Sequence, residues 1–280
     1  MKAVFLDLAR TAVEFSPGYH NELGSFLRSN GYCISDRDVF REISKQRAWL
    51  HVAPDCQDNL PLDFASLFNE LTGELPETQV IAAMRNVTVP AQASAIYEDI
   101  PWFVEEANAS GVKVVLIAGS RLQDMEIVRT SGIEDIVNAV VYGSYAGYPR
   151  RGSDVFLRAA AIAGSSGVFI GDTYEVDSLD AAAAEIPFLL IDREDYYQDI
   201  RKNKATSLKA ALDIILAAQP DEEKVSDDQW IGYPSPTDLF APRKPRAVSM
   251  RGAKLMALTH GNDSWHQANT NLNDYLEIVP

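Results

Sequence analysis

Short apolar runs that alternate with stretches of helical length constrain this chain more than any other feature of it. The runs are Ala3–Leu6, Val112–Ala118, Val137–Tyr142, Val168–Ile170 and Phe188–Ile191. Each is brief, rich in Val, Ile, Leu and Phe, and free of polar alternation, as strands covered on both faces require. Between them lie Pro101–Ser110, Leu122–Thr130, Ser153–Ala163 and Val176–Ala184, all of helical length, and Gly111, Gly132 and Gly164 sit where helices would stop. Such alternation predicts a doubly wound α/β fold around a parallel sheet. Ligands of such sheets bind beyond the carboxyl ends of the strands.

The rhythm breaks twice. After the first run, residues 14–97 read as helices at Tyr19–Ser29, Asp36–Leu50, Asp63–Leu71 and Thr78–Arg85, with apolar faces carried by Phe26, Leu27, Val39, Phe40, Ile43, Phe64, Leu67, Phe68 and Leu71. A helical bundle inserted there is expected to stand above the active edge of the sheet as a lid. Beyond the amphipathic stretch Leu208–Ala218, residues 219–280 change character. Pro234, Pro236, Pro242 and Pro245 forbid continuous helix or central strand, while Trp230, Tyr233, Phe240 and Trp265 are too many aromatics for a purely disordered tail. An extended arm is expected, packed on its own domain, on a second copy or on a partner protein. The expected division is 1–13 with 98–218 as core, 14–97 as cap and 219–280 as extension.

Composition removes some functions. With a formal net charge of −15, the surface repels phosphate backbones, so nucleic acid is not an expected partner. No apolar run reaches the ~20 residues that span a bilayer, and the opening MKAVFLDLAR meets an acid too soon for a secretory signal. A cytoplasmic protein with no membrane contact is the expectation. Cys33 and Cys56 lack metal-like spacing and are expected to be buried, reduced thiols. His20, His51, His260 and His266 show no zinc spacing, no strained serine elbow is present, and GSSG at 164–167 reads as a loop. Tyr19, His20, Trp49 and His51 read as packing residues of the insertion, with a ligand contact from its inner face as the alternative.

The chemistry is carried by acids. Asp7 ends the run VFLD, and a carboxylate at the end of a buried strand is costly unless it is paired. GVFIGDTYEVD at 167–177 places Asp172 after a second strand and Asp177 five residues later. If the two strands are neighbours, the acids meet, and clustered carboxylates repel unless a proton or cation intervenes. Oxygen ligands with open positions suit Mg²⁺. The bland alternative has Asp172 capping the next helix and Asp177 as a surface acid.

These segments, in order, resemble the haloacid dehalogenase (HAD) superfamily, whose members are mostly phosphatases, over roughly residues 1–217. VFLDLARTAV resembles its first motif, YEDIPWFVEEANASGVKVVLIAGS the approach to its second, VVYGSYAGYPRRGSDVFLRAA its third and GVFIGDTYEVDSLDAAAAEIPFLLIDR its fourth. The resemblance implies a Rossmann-like parallel sheet with a small helical cap of the C1 class inserted after strand one. It implies an Asp7 nucleophile that forms an aspartyl-phosphate, with Thr11 four places on, and Mg²⁺ held by Asp7, the Ala9 carbonyl, Asp172 and Asp177. It implies Arg150 in place of the usual motif-three lysine, and Ala118 and Gly119 at the second motif with Ser120 as its hydroxyl. The substrate implied is a small phosphorylated molecule.

Two positions depart from the family pattern. Ala9 stands where its phosphatases place a second aspartate that protonates the leaving group, help worth ~10²–10⁴ in rate. Arg10 replaces a glycine of the turn. The expected function is therefore a Mg²⁺-dependent hydrolase with weak or atypical acid–base catalysis. The alternatives are a catalytically inactive binding or scaffold protein and, less favoured, a phosphonatase-like C–P hydrolase using Lys45.

Overall fold

In the computed structural model, residues 3–52, 62–89, 95–119, 122–143 and 152–218 are described, side chains at 49–52 and 152–154 excepted. In chain order the elements are β1 (Ala3–Asp7), β2 (Val13–Glu14), α1 (Tyr19–Ser29), α2 (Asp36–Val52), α3 (Phe64–Thr72), α4 (Thr78–Arg85), β3 (Ala95–Ile96), α5 (Asp99–Ala109), β4 (Lys113–Ala118), α6 (Leu122–Ser131), β5 (Ala139–Tyr142), α7 (Gly152–Ala163), β6 (Gly167–Gly171), α8 (Tyr174–Ala183), β7 (Phe188–Ile191), β8 (Lys204–Ala205) and α9 (Leu208–Ala217). The chain forms two compact units, one running to Ser16 and resuming at Gln92, the other spanning Pro17–Ala91.

The first unit is built on a six-stranded sheet in the order β5-β4-β1-β6-β7-β8, with every neighbouring pair parallel. From β1 the chain extends the sheet to one side through β4 and β5, then returns to β1's other flank with β6, β7 and β8. β1 therefore lies where the strand order reverses, and the crevice past its carboxyl end is where such sheets take ligands. β1 and β6 are buried along their whole length, which explains their continuous apolar sequence.

Both faces of the sheet are covered. On one, Val4, Leu6, Val114, Leu116, Val168 and Ile170 join a core with Ile100 and Phe103 of α5 and Leu208, Leu212 and Ile215 of α9. On the other, an aromatic ladder carries the packing, from Phe5 to Phe156 of α7 at 6.1 Å between ring centroids, Phe156 to Phe169 at 4.9 Å and Phe169 to Phe188 at 6.0 Å. Gly111, Gly132 and Gly164 all take φ of 74°, ending α5, α6 and α7 in a conformation that costs a side-chain-bearing residue more.

Boundaries differ from the sequence expectation where side chains intervene. The run beginning at Val137 becomes strand only at Ala139, because Asn138 occupies the ladder itself. The Val114 N–H donates to Asn138 Oδ1 at 2.6 Å, and the Asn138 N–H to the Val114 carbonyl at 2.9 Å. α5 begins at Asp99 and holds Pro101 in its first turn, where a missing N–H costs nothing. The antiparallel β2–β3 pair, which joins Val13 to Ile96 where the chain leaves and re-enters this unit, was not anticipated, nor was β8.

Arg193, just past β7, fastens three segments. It makes a bidentate pair with Asp99 at 2.9 and 3.0 Å, donates to the Thr11 carbonyl at 3.1 Å and lies 3.9 Å over the Tyr97 ring. Asp99 also accepts the Leu208 N–H at the start of α9. Arg193→Met is expected to lower stability to urea by about 1–3 kcal/mol, because it strands a half-buried carboxylate.

The second unit is a helical bundle whose core is Leu23, Leu27, Val39, Ile43, Phe64, Leu67, Phe68 and Met84. Its helices start and end within two residues of the sequence expectation. His20 is buried edge-on against Phe40 at 5.1 Å, so it is a packing residue. Lys45 pairs with Glu42 at 2.8 Å one helical turn away. Cys33 corrects an expectation, since it is exposed rather than buried, in the connection between α1 and α2. Cys56 and the extension 219–280 lie outside the described residues, as do the side chains of Trp49 and His51. No described helix is long and apolar enough to cross a membrane.

Candidate functional site

The site follows from strand register. Leu6 of β1 pairs with Ile170 of β6, so Asp7 comes level with Gly171, and Asp172 is the first residue beyond the strand. Asp177 reaches back from the first turn of α8. Asp7, Asp172 and Asp177 each present a carboxylate oxygen within 4.8 Å of the others. They are 3%, 9% and 2% exposed, so Asp177 is not a surface acid. Asp172 is not a helix cap either, because the cap position of α8 is Thr173 and carries no side-chain cap bond.

Gly171 makes this convergence sterically feasible. A Cβ at that position would run into the Asp177 carboxylate. Asp177 Oδ2 also accepts the Thr173 N–H at 2.9 Å, which fixes the acid against the turn. Gly171→Ala is accordingly expected to push Asp177 out of the cluster, costing about 1–3 kcal/mol in stability.

Three buried acids cannot share this space without compensation. At 4.8 Å two like charges repel by about 3.5 kcal/mol at an effective dielectric near 20. Part of the compensation is internal. Arg10 Nε donates to Asp172 Oδ2 at 2.9 Å, its Nη2 reaches Glu194 at 3.0 Å, and its guanidinium lies 5.6 Å from the Tyr196 ring centre. Burial alone would lower the pKa of Arg10, but the charges of Asp172 and Glu194, with the Asp172 hydrogen bond, carry it above its usual value. A cation whose folded-state pKa is raised stabilises the fold at every pH below its unfolded value, so this pairing adds stability throughout the working range.

Arg10 also holds an uncommon backbone conformation, φ 59°, in a loop closed by the Arg10 N–H to Val13 carbonyl bond at 2.7 Å and the Val13 N–H to Leu8 carbonyl bond at 2.8 Å. For a residue with a side chain that conformation costs about 1–2 kcal/mol. The turn that suits glycine is kept, and the arginine is accommodated within it.

The other residues singled out in the sequence fall as follows. Ala9 is exposed and bridges to Val13. Thr11 is fully buried, and its Oγ1 has no hydrogen-bond partner among the described residues. Ala118 ends β4, and its carbonyl accepts the Gly143 N–H at 2.7 Å. Gly119 follows, leaving room for the carboxylate of Asp124, which a Cβ would meet. Ser120 and Arg150 lie outside the described residues.

Sequence reasoning did not single out Glu194, Tyr196, Arg193 or Asp124. It also passed over Tyr197, whose hydroxyl donates to the buried Glu175 at 2.6 Å and accepts the Tyr174 N–H at 3.0 Å, steadying the start of α8. Only Arg10, as an unusual residue in a turn, offered a signal in advance.

The residues fit a divalent cation. The donor set is entirely oxygen, three buried carboxylates gather their charge in one place, and a buried hydroxyl in the adjoining loop lacks a partner among the described residues.

No family model matches the chain, and no curated protein matches it. Among solved structures it resembles a haloacid dehalogenase-like family hydrolase from Streptococcus pneumoniae, with 16% identity and a TM-score of 0.46, covering 77% of this chain and 98% of that one. It also resembles a HAD phosphatase from Thermococcus onnurineus, with 17% identity and a TM-score of 0.45, covering 77% and 98%. A haloacid dehalogenase-like family hydrolase from Xanthomonas campestris matches with 16% identity and a TM-score of 0.45, covering 78% and 91%. At TM-scores below 0.5 the functional assignment rests on the residues of the site.

Proposed function

We propose that this chain is a hydrolase of the haloacid dehalogenase type that acts, slowly, on a small phosphorylated molecule. The observation behind this reading is the convergence of three buried carboxylates at the switch point of a parallel sheet. Asp7, Asp172 and Asp177, with the Ala9 carbonyl, would hold Mg²⁺. When bound, the ion supplies positive charge that lets an anionic nucleophile approach an anionic phosphoryl group.

Asp7 acts as the nucleophile. An oxygen of its carboxylate forms a bond to phosphorus while the bond from phosphorus to the leaving oxygen breaks, giving an aspartyl-phosphate that water later hydrolyses. The leaving oxygen needs a proton, and Ala9 has none to give, so the proton comes from solvent or from the substrate itself. Thr11 lies in the loop that follows the nucleophile, and Arg193 anchors that loop through the Thr11 carbonyl. Arg150 and Ser120 are assigned to the transferring phosphoryl group, and the 17–91 bundle to substrate choice.

A non-catalytic binding role is the second reading, favoured by Ala9 together with the guanidinium seated on Asp172. In that role the 219–280 extension serves a partner protein or a second copy. The lysine-dependent C–P hydrolase is disfavoured by the engagement of Lys45 with Glu42. Assay of a panel of phosphate monoesters with Mg²⁺ and with EDTA distinguishes the two readings. Turnover that EDTA removes supports the hydrolase. Metal binding without turnover on any ester supports the second reading.

A further inference from the structure

We propose that Arg10 is a built-in counter-cation for the Asp7–Asp172–Asp177 cluster, so that a divalent ion binds only by displacing its guanidinium from Asp172. The inference rests on the reading of the cluster as a cation site and adds a competitor to it from the chain's own residues.

Three observations converge. The first is position, since Arg10 Nε holds Asp172 Oδ2 at 2.9 Å while Asp172 Oδ1 accepts the Thr173 hydroxyl at 3.2 Å. Both oxygens of that carboxylate thus accept protein hydrogen bonds, and the guanidinium already supplies beside Oδ2 the positive charge that an ion would bring. The second is a place to go. Glu194, at 3.0 Å from Nη2, and the Tyr196 ring already hold the far side of the guanidinium. Moving away from Asp172 therefore leaves Arg10 charged, paired and stacked rather than stranded. The third is the backbone, because Arg10 retains φ 59°, where glycine would be unstrained. A bulky cation kept in that conformation needs a compensating interaction, and the pairing with Asp172 provides it.

The arrangement has a functional consequence. Without a divalent ion the acid cluster is partly neutralised and the unit stays folded, and loading the site exchanges one cation for another. Cation affinity is then set by competition, and the protein responds to the ion over a higher concentration range than the bare carboxylates would.

Isothermal titration of Mg²⁺ into the full chain and into Arg10→Gly, Arg10→Asn and Arg10→Lys tests this, with thermal unfolding in EDTA as a second readout. Both glycine and asparagine tolerate the left-handed turn, so the variants are expected to fold. Arg10→Gly and Arg10→Asn should bind Mg²⁺ about tenfold more tightly or better, a difference of about 1.4 kcal/mol. They should also gain more in unfolding temperature on adding Mg²⁺ than the parent does. Arg10→Lys, which keeps the charge, should remain within about threefold of the parent.

Equal Mg²⁺ affinity in the parent and Arg10→Gly overturns the competition while leaving the metal site intact. Tightening in Arg10→Lys as large as in Arg10→Gly also overturns it, since charge would then be irrelevant. Failure of every protein to bind Mg²⁺, Mn²⁺ or Ca²⁺ overturns both this inference and the cation reading beneath it.

Discussion

Introducing aspartate at position 9 is expected to raise phosphate-monoester turnover by about 10²–10⁴-fold, the usual contribution of a positioned general acid–base. The expectation follows from where Ala9 lies. It is two residues beyond Asp7, exposed, and held by its bridge to Val13 in a loop whose hydrogen bonds run between backbone groups of Leu8, Arg10, Ala12 and Val13. A carboxyl group there enters solvent-accessible space and breaks none of those bonds. The cost is electrostatic, because one more acid joins three clustered carboxylates. Ala9→Asp should therefore lose a little stability in EDTA and recover it with Mg²⁺. The measurement is kcat on an aryl phosphate at saturating Mg²⁺, with metal affinity determined in parallel. If Ala9→Asp binds Mg²⁺ and remains as slow as the parent, the absent acid is not what limits the reaction.

Asp7→Asn has the opposite expected effect, a loss of turnover of about 10³-fold or more. The amide is nearly isosteric with the carboxylate and cannot form the acyl-phosphate bond. Loss of activity through unfolding is separable from loss of chemistry by its sign. Removing one charge from three mutually repelling carboxylates should leave stability in EDTA unchanged or raised. Acid-quenched labelling with a radioactive phosphate ester should trap phosphoprotein in the parent and none in Asp7→Asn. Undiminished turnover in a folded Asp7→Asn protein would rule out Asp7 as nucleophile.

The extent to which each feature could be read in advance depends on the range of the interaction that creates it. β1, β6 and β7 are buried on both faces, so their apolar runs are local and visible, and α1 and α4 begin and end where apolar spacing and flanking residues place them. The acids were also visible, because a carboxylate after an apolar run has few explanations. β2, β3 and β8 are two residues each, too short to impose a period. Val137 and Asn138 read as strand by composition, but the Asn138 side chain takes the place of a backbone partner, which a propensity argument cannot anticipate.

By itself the sequence determined the alternating α/β plan, the helical insertion after β1 and the identity of three acids at strand or helix ends. Those are consequences of side-chain spacing along a few neighbouring turns or strand residues. Only the tertiary structure decided that Arg10 meets Asp172 across 162 positions, and that Arg193 reaches Asp99 and the Thr11 carbonyl across 94 and 182. Such pairings are chosen by strand order and register, which bring distant side chains within hydrogen-bonding distance and leave no local periodic trace.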